Sequence, residues 1–117
     1  MDNLGYKKLI AWEIADKLAW KIYDLTEKFP RNETYGLTSQ IRRSALSVPL
    51  NIIEGYSRNN KNEFRQFLKI ALGSLAETGY LIEFAFKRKY FTLEEYNYLK
   101  PIKEECGRVL WKLMKSQ

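Results

Sequence analysis

Three short polar breaks constrain this chain more than any other feature: FPRNETYG around Pro30, SRNNKN around Asn59 and KYFT around Phe91. They leave four segments of about 20 residues whose apolar positions recur at helical spacing, each long enough to span about 30 Å. Connections this short make consecutive helices antiparallel neighbours. The pattern predicts an all-α fold, an antiparallel up-down-up-down four-helix bundle. It forms one domain over residues 1–117, with helices at about 8–29, 36–57, 61–89 and 93–115. Two starts carry capping boxes, Asn60 with Glu63 and Thr92 with Glu95, in which side chains satisfy backbone donors that no helical carbonyl reaches.

On a wheel of about 100° per residue, Ile14, Leu18, Ile22, Leu25 and Phe29 form the core stripe of the first helix. Leu37, Ile41, Val48 and Ile52 do the same in the second, Phe64, Phe67, Leu68, Ala71, Leu75, Ile82 and Phe86 in the third. The fourth keeps Leu99, Ile102, Cys106, Val109, Leu110 and Leu113 on one face. Three helices carry more apolar surface than a core needs. Trp12, Ala15, Ala19, Tyr23 and Thr26 widen the first stripe, Leu46, Leu50 and Ile53 form a second patch, and Ile70 and Leu81 widen the third. Large exposed apolar patches mark interfaces, so a homo-oligomer is expected, with Trp12, Tyr23, Leu46, Leu50 and Ile53 as its candidate contacts. The alternative is that the aromatic side chains merely drape over the surface of a monomer. Pro49 and Pro101 are expected to bend their helices, and the mid-helix Gly73 and Gly79 to admit close backbone approach.

Composition excludes whole classes of chemistry. There is no histidine and one cysteine, Cys106, so an intrachain disulfide and the usual zinc, haem and Ser-His-Asp sites are ruled out. No enzyme, cofactor or metal is expected; a residual enzymatic alternative would use Arg43, Asn51, Glu54 or Glu77. No apolar run approaches the roughly 20 residues of a membrane span, and the N-terminus MDNLGYKKLIAWEIADK mixes both charge signs, so a cytoplasmic protein without membrane attachment is expected.

The net charge of +6 is unevenly placed. Residues 37–75 hold six Lys/Arg against two Asp/Glu and supply +4 of it, which favours polyanionic partners. Arg58, Lys61, Arg65 and Lys69 line the start of the third helix, with Arg42 and Arg43 as an extension. These six are the candidate nucleic-acid contacts, with Tyr56 and Tyr80 near enough to offer stacking. Solvated helix faces carry similar cations, which is the plainer reading. Gln40, Arg43, Ser47, Asn51 and Glu54 form a polar line on the second helix, either an interhelical seam or a ligand-contacting surface.

Four stretches together carry a family resemblance: YKKLIAWEIADKL, IYDLTEKFP, YGLTSQIRRSALSVPLNIIEGYSR and EFRQFLKIALGSLAE. The chain resembles the small bacterial four-helix bundle proteins encoded by intervening sequences within 23S ribosomal RNA genes, once described as a ribosomal protein. From about Phe84 onward only the helical pattern matches. The resemblance implies a left-handed bundle and kinship with the accessory variability determinant of diversity-generating retroelements, a basic pentameric barrel that engages a reverse transcriptase and nucleic acid. It therefore implies a ring of five subunits, an RNA or DNA partner, and a protein partner such as a reverse transcriptase. Two functions follow as expectations: nucleic-acid binding through the six cations, or a scaffold recruiting a protein through apolar outer helix faces.

Overall fold

The computed structural model describes residues 5–117; residues 1–4 of the N-terminal stretch lie outside it. A 3-10 turn at Gly5–Lys8 leads into α1 (Ile10–Leu25), followed by α2 (Leu37–Ser57), α3 (Lys61–Lys87) and α4 (Leu93–Lys115). A second 3-10 turn, Arg31–Glu33, precedes α2, and the described residues contain no strand. α1 touches α2 and α4, and α3 touches the same two, so the helices stand at the corners of a square with α1 diagonal to α3. Every side of the square is antiparallel. Ser44 meets Thr78 and Ser47 meets Ser74 between α2 and α3, and Phe86 stacks on Tyr96 between α3 and α4. Lys28 pairs with Glu95 between α1 and α4, and Arg42 reaches back to Tyr23 between α2 and α1. The 43 Å long axis matches the length of the 27-residue α3 at 1.5 Å per residue.

Local chemistry sets the ends. α1 is shorter at both ends than the predicted 8–29. Leu9 is extended (φ −80°, ψ 124°), and beyond Leu25 the chain turns at Thr26, whose hydroxyl donates back to the Ile22 carbonyl at 2.7 Å. Pro30 disfavours a helical Phe29, whose ring instead packs 5.0 Å from Phe91 and 5.4 Å from Tyr90. Asn60 accepts from the Glu63 amide to start α3, and Thr92 and Glu95 form the full reciprocal capping box of α4. α3 ends in a Schellman motif: Lys89 is left-handed (φ 66°), its N–H donates to the Phe86 carbonyl, and the Tyr90 N–H donates to that of Ala85.

The core follows the predicted stripes, with one rotation. Leu18, Ile22 and Phe29 are buried in the α1 region, but so are Ala11, Ala15, Ala19 and Thr26, whereas Ile14 and Leu25 are only partly covered. Part of the apolar sector that looked surplus in sequence is therefore buried inside the protomer. Helix–helix proximity at α2–α3 centres on Gly55, where a Cβ would lie 2.6 Å from that of Phe67 and 2.9 Å from a Phe64 ring carbon. The mid-helix glycines behave otherwise: Gly73 faces open space and Gly79 meets the Lys103 side chain. Both α2 and α4 run on through Pro49 and Pro101. Cys106 is fully buried, and burial pushes its thiol up to about 12, which keeps it protonated and unreactive.

Candidate nucleic-acid interface

The six candidate cations do not share a surface. Arg42 is half-buried against α1: its Nε donates to Thr26 Oγ1 at 2.8 Å, its Nη2 to the Tyr23 carbonyl at 3.2 Å, and its guanidinium sits 4.6 Å from the Tyr23 ring centroid. It therefore offsets the negative end of α1, where two of its five N–H donors are engaged. Arg58 is similarly engaged, paired with Glu54 at 2.8 Å and lying 5.0 Å from the Phe67 ring centroid. Arg43 is exposed on the outside of α2, within 3.4 Å of Ser39 Oγ.

Lys61, Arg65 and Lys69 belong to a different flank. Arg65, Lys69, Leu72, Ala76, Gly79 and Glu83 follow alternating four- and three-residue steps, one ridge of α3. Ala76, Gly79 and Glu83 line a groove of about 300 Å³ against α4, which places Arg65 and Lys69 along the same α3–α4 face. From α4 come Tyr96, Lys100, Lys103 and Glu104. Gly107 lies on Leu75, with a Cβ there 3.5 Å from Leu75 Cδ2, so Trp111, one turn on, continues this face. The Lys100 ammonium is 5.6 Å from the Tyr96 ring centroid and that of Lys115 is 5.4 Å from Trp111's. Among the described residues the ion pairs are Lys28–Glu95 and Arg58–Glu54, so no cation of this face is tied to a carboxylate. Sequence reasoning missed the contribution of Lys100, Lys103, Lys115 and Trp111; the signal was present, because α4 must run antiparallel beside α3 and its 96, 100, 103, 107, 111 ridge must face it.

The apolar flank lies between α1 and α2. Trp20 is 66% exposed, Leu50 54%, Leu46 39% and Tyr23 37%, and Ile53 is half-buried. A groove of about 440 Å³ runs between Ala19, Trp20, Tyr23 and Leu46, rimmed by Asp16, Asp24 and Glu27. Trp12, one of the expected set of contacts, is not among the residues lining this groove. It is half-buried, its ring meets Tyr6 edge-on at 5.1 Å, and its indole N–H is enclosed without an acceptor. Trp20, left out of that set, is the exposed tryptophan of this flank.

The polar line of α2 becomes a seam only in part. Ser47 Oγ is 2.8 Å from Ser74 Oγ, and Asn51 Nδ2 donates to Ser47 Oγ at 2.9 Å and to its carbonyl at 2.8 Å. Thr78 donates to Ser44 Oγ at 3.0 Å, with the Ser74 carbonyl as its alternative acceptor at 2.8 Å. The buried part of the seam thus includes Ser44 and Thr78, which sequence reasoning did not single out. Gln40 and Glu54 stand outside it, both exposed, with Glu54 facing Arg58. Glu77 is exposed too.

No helix of the described residues is long and apolar enough to cross a membrane. Among curated proteins none matches the chain. A crystal structure of a Bacteroides thetaiotaomicron protein of unknown function, from the S23 ribosomal protein family, superposes with a TM-score of 0.82 at 24% identity, covering 91% of this chain and 96% of that one. It shares the fold. Residues 7–112, nearly the whole sequence, match the family described as 23S rRNA-intervening sequence protein. With its four helices and this match, the chain belongs to the 23S rRNA-intervening sequence protein family.

Proposed function

We propose that this protein is a non-enzymatic, self-associating helical bundle of the cytoplasm that binds structured RNA or DNA through its α3–α4 face. One observation carries the reading: Arg65, Lys69, Lys100, Lys103 and Lys115 stand along that face without carboxylate partners, interleaved with Tyr80, Tyr96 and Trp111. Cations in this state attract phosphates, and the exposed rings of Tyr80 and Trp111 offer stacking surfaces. Affinity for a structured RNA should fall steeply as salt rises, with a log–log slope that grows with the number of phosphates contacted. A slope near zero in fluorescence anisotropy would remove the electrostatic reading.

The α1–α2 groove supports self-association. Trp20, Leu46 and Leu50 leave apolar area exposed that a second copy would cover, and a closed ring, five-membered as the family resemblance implies, would multiply weak phosphate contacts. Light scattering at micromolar concentration reads the mass directly. A second function rests on the same apolar groove: recruitment of a different protein, such as a reverse transcriptase, with charge serving only the encounter. Partner binding indifferent to salt would favour it.

A further inference from the structure

The α3–α4 groove is more mixed in character than a strip for phosphates requires. Gly79 leaves the α3 backbone bare, and the Lys103 side chain lies against it; a Cβ there would sit 2.7 Å from Lys103 Cε and 3.1 Å from Nζ. Lys103 is thereby laid, half-buried, along the groove wall, with Lys100 beside the Tyr96 ring. Two carboxylates line the same groove without pairing to either ammonium: Glu83, which accepts from the Tyr96 hydroxyl at 3.3 Å, and Glu104, which has no such engagement. Tyr80 stands at the lip, 65% exposed, its ring 6.1 Å from that of Phe84.

A bare phosphate would use the ammonium groups and be repelled by the carboxylates. A ribonucleotide uses all three chemistries: ammonium groups for phosphate, an acceptor for sugar hydroxyls and an aromatic face for the base. Carboxylates recognise ribose hydroxyls in dinucleotide sites, and the 2′-hydroxyl is what separates RNA from DNA. The groove volume of about 300 Å³ lies at the lower end of small-ligand sites. We infer that the groove receives one ribonucleotide unit, its phosphate at Lys100 and Lys103, its sugar hydroxyls on Glu104 and its base against Tyr80. The inference rests on the α3–α4 reading and adds to it a preference for RNA over DNA. The ribonucleotide is either free or one unit of a strand.

The test compares a short single-stranded RNA with DNA of the same sequence by anisotropy at fixed salt, together with AMP and dAMP titrations followed by amide NMR shifts. RNA should bind about tenfold tighter than DNA in the native protein, the ratio lost with one hydroxyl contact. In Glu104→Ala that ratio should collapse toward one even though removal of a negative charge raises affinity for both strands; a ratio is blind to that gain. Gly79→Ala, which pushes aside only the flexible end of Lys103 and suits a helix, should lower affinity for RNA several-fold. Shifts of groove amides by AMP but not dAMP would support the groove through free ribonucleotide; RNA preference without AMP shifts would support it through a strand. Equal affinity for RNA and DNA in the native protein together with no selective shifts by AMP, or a ratio unchanged by Glu104→Ala, overturns the groove. If strand binding then still weakens in Arg65→Glu with Lys69→Glu, the wider face stands; if neither a strand nor AMP binds, both readings fall.

Discussion

The α1–α2 and α3–α4 flanks are built from the same kind of helix pair, yet they treat charge in opposite ways. On the first, Arg42 is consumed by the Tyr23 and Thr26 oxygens near the end of α1, and the outer surface is left to Trp20, Leu46 and Leu50 with an acidic rim. On the second, Lys100 and Lys115 lie against aromatic rings, and the lysines form no ion pair with the nearby carboxylates. Counting cations along the chain therefore misleads, because a cation already neutralised by a helix terminus contributes to stability while an unpaired one remains available to a ligand. One flank is suited to apolar contact, the other to polyanions.

Reversing charge on the basic flank should have the largest effect. Arg65→Glu with Lys69→Glu is expected to lower RNA affinity by about a hundredfold at physiological salt while leaving the helical circular dichroism intact. On the apolar flank, Leu50→Glu should shift the mass in light scattering toward the protomer and leave the RNA:DNA affinity ratio of the α3–α4 groove unchanged. If it abolished RNA binding by the isolated protomer, the two flanks would not be independent. Arg42→Ala should cost about 1–3 kcal/mol in urea unfolding, because it removes the donor to Thr26 Oγ1 and to the Tyr23 carbonyl and strips a cation from the end of α1. The same substitution should leave RNA affinity within about twofold, since truncating an already engaged cation removes no phosphate contact.

The smallest effect is expected from acid. Glu33 is held below the usual carboxylate range of 4.5 by the Leu37 amide and the Tyr90 hydroxyl. For Glu95, partial burial pushes the other way but is outweighed by Lys28 and the Thr92 groups, so the net direction is also down. A carboxyl with a lowered folded value stabilises the native state above about 4.5, and that contribution is lost as pH falls through the folded value. Melting temperature should accordingly decline in this window, and less so in Glu33→Gln with Glu95→Gln. An unchanged decline would assign it to other carboxylates.

Much of the bundle was legible from the residues alone. The caps at Asn60 and Thr92, and the buried Leu37, Ile41, Val48 and Ile52 of α2, follow from spacing within a single helix. What spacing omits is the neighbour. It places Thr26 and Ala19 on the edge of a stripe but does not say that α2 covers that edge, and it marks Gly79 as an unusual residue without showing that a lysine of α4 occupies the vacancy. Arg42 and Arg43 are adjacent in sequence, yet about 100° of helical rotation sends one into the α1 contact and leaves the other in water. The candidate site was therefore legible on α3 and illegible on α4, where its meaning depends on the partner ridge.

The burial of Cys106 supplies the protein with its own reporter. Cys106 is the single thiol in the chain, enclosed on α4 where that helix meets the core, and held protonated at neutral pH. An alkylating reagent reaches it only when α4 lifts away, so the labelling rate measures the opening equilibrium of the bundle without any introduced dye. Assembly or RNA binding that closes α4 against α3 would slow that rate by the factor through which it stabilises the closed state.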